Sequence, residues 1–169
     1  LCGLWSAPYG SHGLEIIHLS LNPCSAASGA PPPNSEGIAA AGRAELIGVK
    51  VTGDANVPAG KTSFVIDLEE HFDVDAELEA DRRPVVLYLP SGALMANLAN
   101  RHGQISFWRK GRGQINRVPG RWSPEWIDVD FVVYKVGFGR AFSVVFRQPK
   151  QAVRVMMDFE RALGSKEEW

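Results

Sequence analysis

The chain has 169 residues, enough for one domain with a sizeable core, and its acidic and basic residues nearly balance at a net charge of -1. That balance argues against a protein built mainly to bind nucleic acid or an anionic membrane. No apolar run approaches the roughly 20 residues that span a bilayer, and the lack of an initial methionine leads us to expect a piece of a longer protein.

The first part of the chain predicts a strand followed by an insertion. After an apolar opening, Leu1–Pro8, a turn signal at Tyr9–Gly13 leads into an alternating run, Leu14–Leu21, that is typical of a half-buried strand. Residues 22–43 are rich in Pro, Ala, Ser and Gly. They cannot bury enough apolar surface to offset the entropy lost on ordering, so we predict a flexible surface insertion with its two ends close together.

Two further strands flank a dense cluster of turn-forming residues. The strands are predicted over Leu46–Thr52 and Ser63–Leu68. The predicted shared faces carry Ile47, Val49 and Val51 in the first strand and Phe64, Ile66 and Leu68 in the second.

Between these strands lies the segment KVTGDANVPAG, Lys50–Gly60. Its density of Gly, Asp, Asn and Pro is incompatible with a regular element and predicts a rigid, shaped turn. Such a turn should hold Lys50, Thr52 and Asp54 close together at a strand end. The alternative is a turn in which the Asp54 carboxylate only accepts hydrogen bonds from its own backbone.

The middle of the chain is less regular. Glu69–Asp81 carries seven carboxylates and predicts a helical turn or an acidic loop; a charge run of this kind is most often a solvated face. Val85–Leu89 predicts a buried strand, whereas Ala93–Asn100 fits a short helix or a strand equally well. Ile105–Arg109 predicts a strand, and Lys110–Gly120 is interpreted as a loop rich in Gly and Arg.

The last third predicts three more strands. They lie at Trp126–Tyr134, Ala141–Arg147 and Val153–Phe159. In the first of these, the predicted apolar face carries Ile127, Val129, Phe131 and Val133, and the opposite face carries Asp128 and Asp130.

These patterns together predict an all-β protein. We expect a single antiparallel β-barrel-like domain of about eight to nine strands over residues 1–163, followed by a polar tail at 164–169. A closed barrel leaves no exposed edge and can enclose a ligand cavity, but alternation alone does not distinguish it from a sandwich.

The sequence gives no support for catalysis. The histidines His12, His18, His71 and His102 lack metal-ligand spacing, and no nucleophile motif occurs. The paired carboxylates lie in the acidic run, where no apolar pocket is evident to raise a pKa. We therefore expect a non-enzymatic protein without a metal or cofactor.

A binding site is the better hypothesis. His12 and Glu15 lie beside the first turn, and Lys50, Thr52 and Asp54 lie at the central one. An ammonium supplies charge for a carboxylate or carbonyl oxygen and a carboxylate accepts from an amide, so the set suits a peptide end at the mouth of a barrel. The alternative makes His12 a locally bonded turn residue and Glu15 a solvated strand residue.

Two long motifs carry a resemblance to a known family. GLWSAPYGSHGLEIIHLS, at Gly3–Ser20, resembles the start of the substrate-binding domain of the F-box proteins that recruit cyclin D for ubiquitylation. KVTGDANVPAG resembles the second signature of that family, and weaker similarity runs through Gly111–Phe146. The match is specific because both motifs have many fixed positions in fixed order.

The resemblance implies a non-catalytic, barrel-like substrate receptor of an SCF-type ubiquitin ligase that binds the C-terminal end of its targets. Lys50, Thr52 and Asp54 would then contribute to the pocket for that end. Contact with Skp1 and the cullin would require an F-box outside this chain, because none is found here. The implied compartment is the cytoplasm or nucleus, with no nucleic-acid or membrane partner.

A second resemblance gives an alternative. YGSHGLE, TGDANVPAG and the stretch KGRGQIN with Trp126-Ile127-Asp128 are also similar to the C-terminal domain of the plastid EXECUTER proteins, which report singlet oxygen. That resemblance implies a chloroplast protein in which Trp126 or Trp122 is the oxidisable sensor. From spacing alone, these two tryptophans are more often core or rim packing than a stacking platform.

Overall fold

The computed structural model of the protein describes residues 1–9, 13–22, 44–54, 57–69, 72–80, 82–89, 92–116, 123–135, 141–147 and 153–162. Most of these residues lie in strands. The strands are β1 Gly3–Pro8, β2 Leu14–Asn22, β3 Glu45–Lys50, β4 Thr62–Asp67, β5 Val85–Leu89, β6 Gly92–Ala96, β7 Ile105–Asn116, β8 Pro124–Tyr134, β9 Phe142–Phe146 and β10 Arg154–Arg161. Helix α1, Val74–Ala80, precedes β5, and a 3-10 helix, Leu98–Gln104, precedes β7.

Eight of the strands close into an antiparallel barrel. Their order is β1-β2-β3-β4-β7-β8-β9-β10, and β1 pairs with β10 to complete the ring. The predicted barrel is therefore confirmed over the sandwich. β5 pairs in parallel with the first half of β10, where Val85 lies opposite Arg154, and β6 pairs with β5. β1 takes the second half of β10, where Trp5 lies opposite Arg161.

Aromatic side chains fill the barrel interior. The rings of Phe142 and Phe159 stack with centroids 4.9 Å apart, and Trp5 meets Phe142 edge-on at 5.1 Å. Phe64 and Phe131 complete this group, with ring centroids 6.5 Å apart. Together with the other buried side chains of the core, these rings fill the interior that the described residues enclose. The interior is thus a packed core, and a binding site has to lie at the surface.

The inward face of β3 differs from the face suggested by its apolar pattern. Ile47, Val49 and Val51 do share a face, as predicted, but it is the outer face. The inward positions are instead Leu46, Gly48 and Lys50. A Cβ at Gly48 would lie 2.5 Å from the Phe64 ring. A small residue is therefore needed at this inward position, and the β-branched residues cover the outside.

The loop predicted over Lys110–Gly120 is wrong for the part that the structure describes, because β7 continues without interruption to Asn116. Its glycines permit close packing rather than a turn. A Cβ at Gly111 would lie 2.2 Å from the backbone oxygen of Val65 on β4, and a Cβ at Gly113 would lie 2.7 Å from Val129 on β8. Sequence patterns treat Gly as a breaker, but here a bare backbone is what lets neighbouring strands approach.

A second, smaller cluster lies on the outside of the barrel wall. Trp108, Val132, Val145 and Met156 project outward from four consecutive barrel strands, β7 to β10. The β5–β6 hairpin, the 3-10 helix and the apolar side of helix α1 cover them. Of the two forms predicted for the acidic segment, a helical turn or a loop, the structure thus shows the helical turn. Ala93–Asn100 is divided: it is strand through Ala96, and the 3-10 helix begins at Leu98.

Ion pairs attach helix α1 to this wall. The Glu77 carboxylate contacts Lys110 Nζ at 2.6 Å and Arg147 Nη2 at 3.1 Å. Arg147 Nε reaches the fully buried Asp130 at 2.5 Å, and Asp130 also accepts from Trp108 Nε1 at 3.0 Å. Burial raises the pKa of Asp130, while the bonds from Arg147 and Trp108 oppose that rise. The acidic run is therefore only partly a solvated face.

The other predicted strands are confirmed to within two residues at their ends. The predicted inward face of β8 is correct, since Val129 and Phe131 are buried in the barrel core. The predicted flexible insertion, except for Asn22, and the polar tail at 164–169 lie outside the described residues.

Candidate functional site

A small depression lies at the rim of the barrel, where β1 ends, β2 begins and β3 ends. The depression is shallow, and the space between its lining atoms reaches about 180 Å³ only when the open solvent above it is included. The lining residues are Tyr9, Leu14, Glu15, Lys50, Thr52, Gly53 and Asp54. Four of the five residues predicted as a binding site are therefore brought together here. The fifth, His12, lies outside the described residues.

The turn after β3 has the rigid form that its sequence predicts. Lys50 N donates to Lys61 O at 3.0 Å, and Gly60 N donates back to Lys50 O at 2.8 Å. A Cβ at Gly53 would lie 2.3 Å from the backbone nitrogen of Ala59, so this position accepts no side chain. Gly60 has φ of +77°, a conformation that L side chains rarely adopt. The turn therefore has a fixed shape that presents the end of β3.

Lys50 lies between two carboxylates. Its Nζ is 2.9 Å from Glu15 Oε2 and 2.6 Å from Asp54 Oδ2. The Lys50 and Glu15 side chains are 3% and 5% exposed, so Glu15 is not the solvated strand residue of the alternative interpretation. The ammonium also lies 5.4 Å from the centroid of the Tyr9 ring. When all three groups are ionised, this ion cluster of Glu15, Lys50 and Asp54 carries a net charge of -1.

The ion cluster closes one end of the barrel core. Lys50 and Glu15 occupy inward positions of β3 and β2, next in line after the apolar Gly48 and Ile17. Charged groups are stable at such a position only when their hydrogen-bonding capacity is met by partners or by solvent. The mutual pairing of these three side chains meets that requirement at the rim.

Asp54 combines the two roles that its sequence context left open. Its Oδ2 contacts Lys50, while Oδ1 accepts from the backbone nitrogen of Val57 at 2.7 Å. Asp54 N also donates to Val57 O at 3.0 Å. One carboxylate thus stabilises the turn and holds the cation.

Thr52 joins the turn to β2. Its Oγ1 accepts from Ile16 N at 2.8 Å and lies 3.4 Å from Leu14 O, to which it donates. The hydroxyl is therefore engaged with backbone, and its main contribution to the depression is to fix the wall. Tyr9 and Leu14 were not predicted as lining residues, although Tyr9 begins the predicted turn and Leu14 directly follows it.

Of the two tryptophans named as sensor candidates, only Trp126 lies within the described residues. It lies near the start of β8, partly buried, with the Arg112 guanidinium 5.8 Å from its ring centroid. This is ordinary packing of a cation over an aromatic ring on the barrel wall. Trp122 lies outside the described residues.

A second polar network is buried on the outer wall and was missed from the sequence. Arg101 Nη1 is 3.0 Å from both the Tyr134 hydroxyl and the Asp158 carboxylate, and Ser143 Oγ contacts both Tyr134, at 2.7 Å, and Asp158. Burial raises the pKa of Tyr134. The four residues of this network come from separate elements, so no local sequence motif predicts them. With Ser143 fully buried, the network attaches the 3-10 helix to the barrel and offers no accessible nucleophile.

The described part of the chain contains no group of His, Cys, Asp and Glu side chains suited to hold a metal ion. Nor does that part include a helix long and apolar enough to cross a bilayer.

Comparison with known proteins gives consistent matches. Residues 1–135 match the model of a protein family described as the cyclin D1 binding domain. The chain is 36% identical over 72 residues to F-box only protein 31 of Rattus norvegicus, which covers 43% of this chain and 10% of that protein. It is 36% identical over 80 residues to F-box only protein 31 of Homo sapiens, which covers 47% of this chain and 11% of that protein. The chain therefore spans about a tenth of the length of these relatives.

Proposed function

Because the chain belongs to the family of cyclin D1 binding domains, we propose that it is the substrate-recognition module of an F-box-type ubiquitin ligase and binds the C-terminal end of target proteins. The observation that carries this proposal is the rim depression, where a rigid turn gathers Lys50, Glu15 and Asp54 beside the exposed side chain of Leu14. A chain end is the part of a target that can enter a small, partly open depression without threading.

The chemistry of the depression suits such an end. A peptide terminus brings backbone polar atoms that must be matched, or their desolvation weakens binding. The Asp54 carboxylate, 10% exposed, can accept from an amide nitrogen, whereas Lys50 and Glu15, 3% and 5% exposed, contribute mainly by holding that carboxylate in place. Leu14, 58% exposed, adds apolar surface at the same rim. The site therefore offers groups of both signs within one small area.

The proposed receptor is non-catalytic. Ubiquitin transfer would be performed by other subunits of the ligase, which an F-box outside this chain would recruit through Skp1 and a cullin. The proposed location is the cytoplasm or nucleus. A full-length gene product that fails to bind Skp1 would contradict this part of the proposal and leave the peptide-binding part to be judged on its own assay.

The binding experiment uses a synthetic peptide that matches the C-terminal end of cyclin D1, titrated calorimetrically into the chain. We expect Asp54→Asn to weaken binding by about 1–3 kcal/mol, because one charge-assisted contact is lost. The fold should survive, since the Asn oxygen can still accept from Val57. Asp128→Asn is the matched control. Asp128 is exposed on β8, across the barrel from the depression, so this variant should bind the peptide with unchanged affinity.

Three results would contradict the proposal at different levels. Equal affinity of the Asp54→Asn variant would remove the site assignment. Equal affinity for the same peptide extended by several residues beyond its natural end would remove recognition of the C-terminus. Absence of any binding to the unmodified chain would remove this target class.

The plastid sensor stays a prediction from the second resemblance. Its test is mass spectrometry after exposure to singlet oxygen, with selective oxidation expected at Trp122 or Trp126. Uniform oxidation of all five tryptophans would count against it.

A further inference from the structure

Strand β6 forms the outer edge of the extension on the barrel wall. It pairs with β5 over its whole length, Gly92 to Ala96, and within the described residues no strand pairs with its other edge. The eight barrel strands, by contrast, each have a neighbour on both sides. Alternate residues of β6 therefore direct their backbone N–H and C=O groups away from β5, in the arrangement that a further strand would need.

The composition of β6 does not protect this edge. Proteins usually shield an edge strand with a charged side chain, a proline or a bulge, because an unprotected edge pairs with other chains. The segment GALMA contains no charge and no proline, and its pairing with β5 runs without a register shift. Its two large side chains, Leu94 and Met95, are 52% and 55% exposed. Those features are typical of an edge that is covered in the working protein.

The two exposed side chains lie on opposite faces of the strand. Leu94 lies opposite Leu87, which is buried in the outer cluster, so both side chains project toward the same face. Met95 lies opposite Val86 and projects toward the other face. A strand that docked here would therefore meet apolar side chains on both faces, and it should itself be apolar on both faces and uncharged.

β6 meets that description, and we propose that two copies of this chain associate by antiparallel pairing of their β6 edges. A two-fold register with Leu94 opposite Leu94 of the second copy places Ala93 opposite Met95, a small side chain beside a large one. No like charges are brought together, because the strand has none. The first charged residue after it, Arg101, is bound to Asp158. The result is an isologous interface that extends one sheet across both copies.

The contact is short, so the association is weak. Five residues at about 3.3 Å each give a paired edge only roughly 16 Å long, too short to bury the roughly 2,000 Å² or more that permanent dimers bury. The dimer should therefore appear only at high protein concentration. It joins the copies on the outer wall and leaves the rim depression outside the interface, so this proposal does not depend on the proposed function.

The experiment is sedimentation velocity on the 169-residue chain from about 10 μM to about 1 mM, the range in which contacts of a few kcal/mol become populated. We expect the sedimentation coefficient to rise with concentration in the unmodified chain. Met95→Lys should lower the association constant by about 10-fold, because each lysine replaces an apolar side chain beside Ala93 and lies diagonally about 7–8 Å from the other lysine. Leu94→Lys should do the same. Met95→Lys is the safer variant, since its side chain points away from the buried cluster.

Leu21→Lys is the matched control. Leu21 is 49% exposed, but it lies near the end of β2, paired with Leu46 of β3 and not on β6, so this variant should associate like the unmodified chain. Hydrogen exchange gives a second readout: amides of β6 should gain protection as concentration rises in the unmodified chain and not in Met95→Lys.

A chain that stays monomeric up to about 1 mM overturns the proposal. Association that persists in both β6 variants also overturns it, by placing the contact on another surface. Capture of an apolar peptide by β6 without self-association would show a different occupant and equally contradict the second copy.

Discussion

Replacing Lys50 with methionine tests whether the ion cluster holds the rim together. Methionine keeps a linear side chain of similar length, so the change removes the ammonium with little loss of packing. Glu15 and Asp54 each approach within 3 Å of the Lys50 nitrogen and are largely buried. Without the cation, two carboxylates would face each other at the end of the core.

The expected cost is large for a single substitution. Breaking a buried ion pair by removing one partner costs about 3–5 kcal/mol, because the remaining charge stays buried and uncompensated. A domain of this size is stable by only about 5–15 kcal/mol. Lys50→Met should therefore remove a substantial share of the free energy of unfolding. Adding Glu15→Gln and Asp54→Asn to it should recover part of the loss, since an amide that has lost a partner costs less to bury than an unpaired carboxylate.

The measurement is equilibrium unfolding in urea, followed by tryptophan fluorescence. Lys61→Met is the control, because the Lys61 side chain is exposed and its loss should change the free energy of unfolding by no more than about 0.5 kcal/mol. A cost below about 1 kcal/mol for Lys50→Met would show that the cluster is solvated and not structural. Failure of the neutral triple variant to regain stability would show that shape, rather than charge, accounts for the loss.

Three further expectations concern the packing of the fold. Gly111→Ala should destabilise the chain by at least about 1–3 kcal/mol, since its Cβ would collide with β4 backbone, whereas Gly103→Ala, with open space around it, should be nearly neutral in the same urea assay. Burial raises the pKa of Tyr134 above its ordinary value of about 10. The contribution of this phenol to the free energy of unfolding is therefore fully present below that value and should be lost as the pH rises through the pKa of the folded state. An ultraviolet titration should show this late ionisation in the unmodified chain but not in Tyr134→Phe, and ionisation at the ordinary pH would contradict it. Glu77→Gln should weaken hydrogen-exchange protection in helix α1 while the barrel keeps its own. Glu79→Gln removes only an exposed pair with Arg82, which contributes little, and should change neither.

The strand faces show how far local pattern reaches. Alternation located β4, β8 and β9, because each has bulky apolar residues on its inward face. In β3 it located the strand but did not show which face turns inward, because that side holds Gly48 and Lys50. Gly48 is small because Phe64 fills the space above it, and Lys50 is charged because two carboxylates surround it. Both reasons depend on neighbours from other strands.

The candidate site divides in the same way. The sequence predicted the central turn, its polar residues and the two family signatures. It could do so because a segment such as KVTGDANVPAG constrains its own backbone through glycine, proline and a short carboxylate side chain. The ion pair between Glu15 and Lys50 could not be predicted, because 35 positions separate the two residues and only the pairing of β2 with β3 brings them together. The outer network of Arg101, Tyr134 and Asp158 has the same origin.

The sequence by itself determined an all-β chain, the place of its most rigid turn and the family to which its motifs belong. The tertiary structure decided that the barrel is filled, that β7 runs through its glycines, and that the Lys50 ammonium is shared between two carboxylates. The physical reason is that backbone preference and alternation act over a few residues. Close approach and charge compensation depend on which strands become neighbours when the barrel closes.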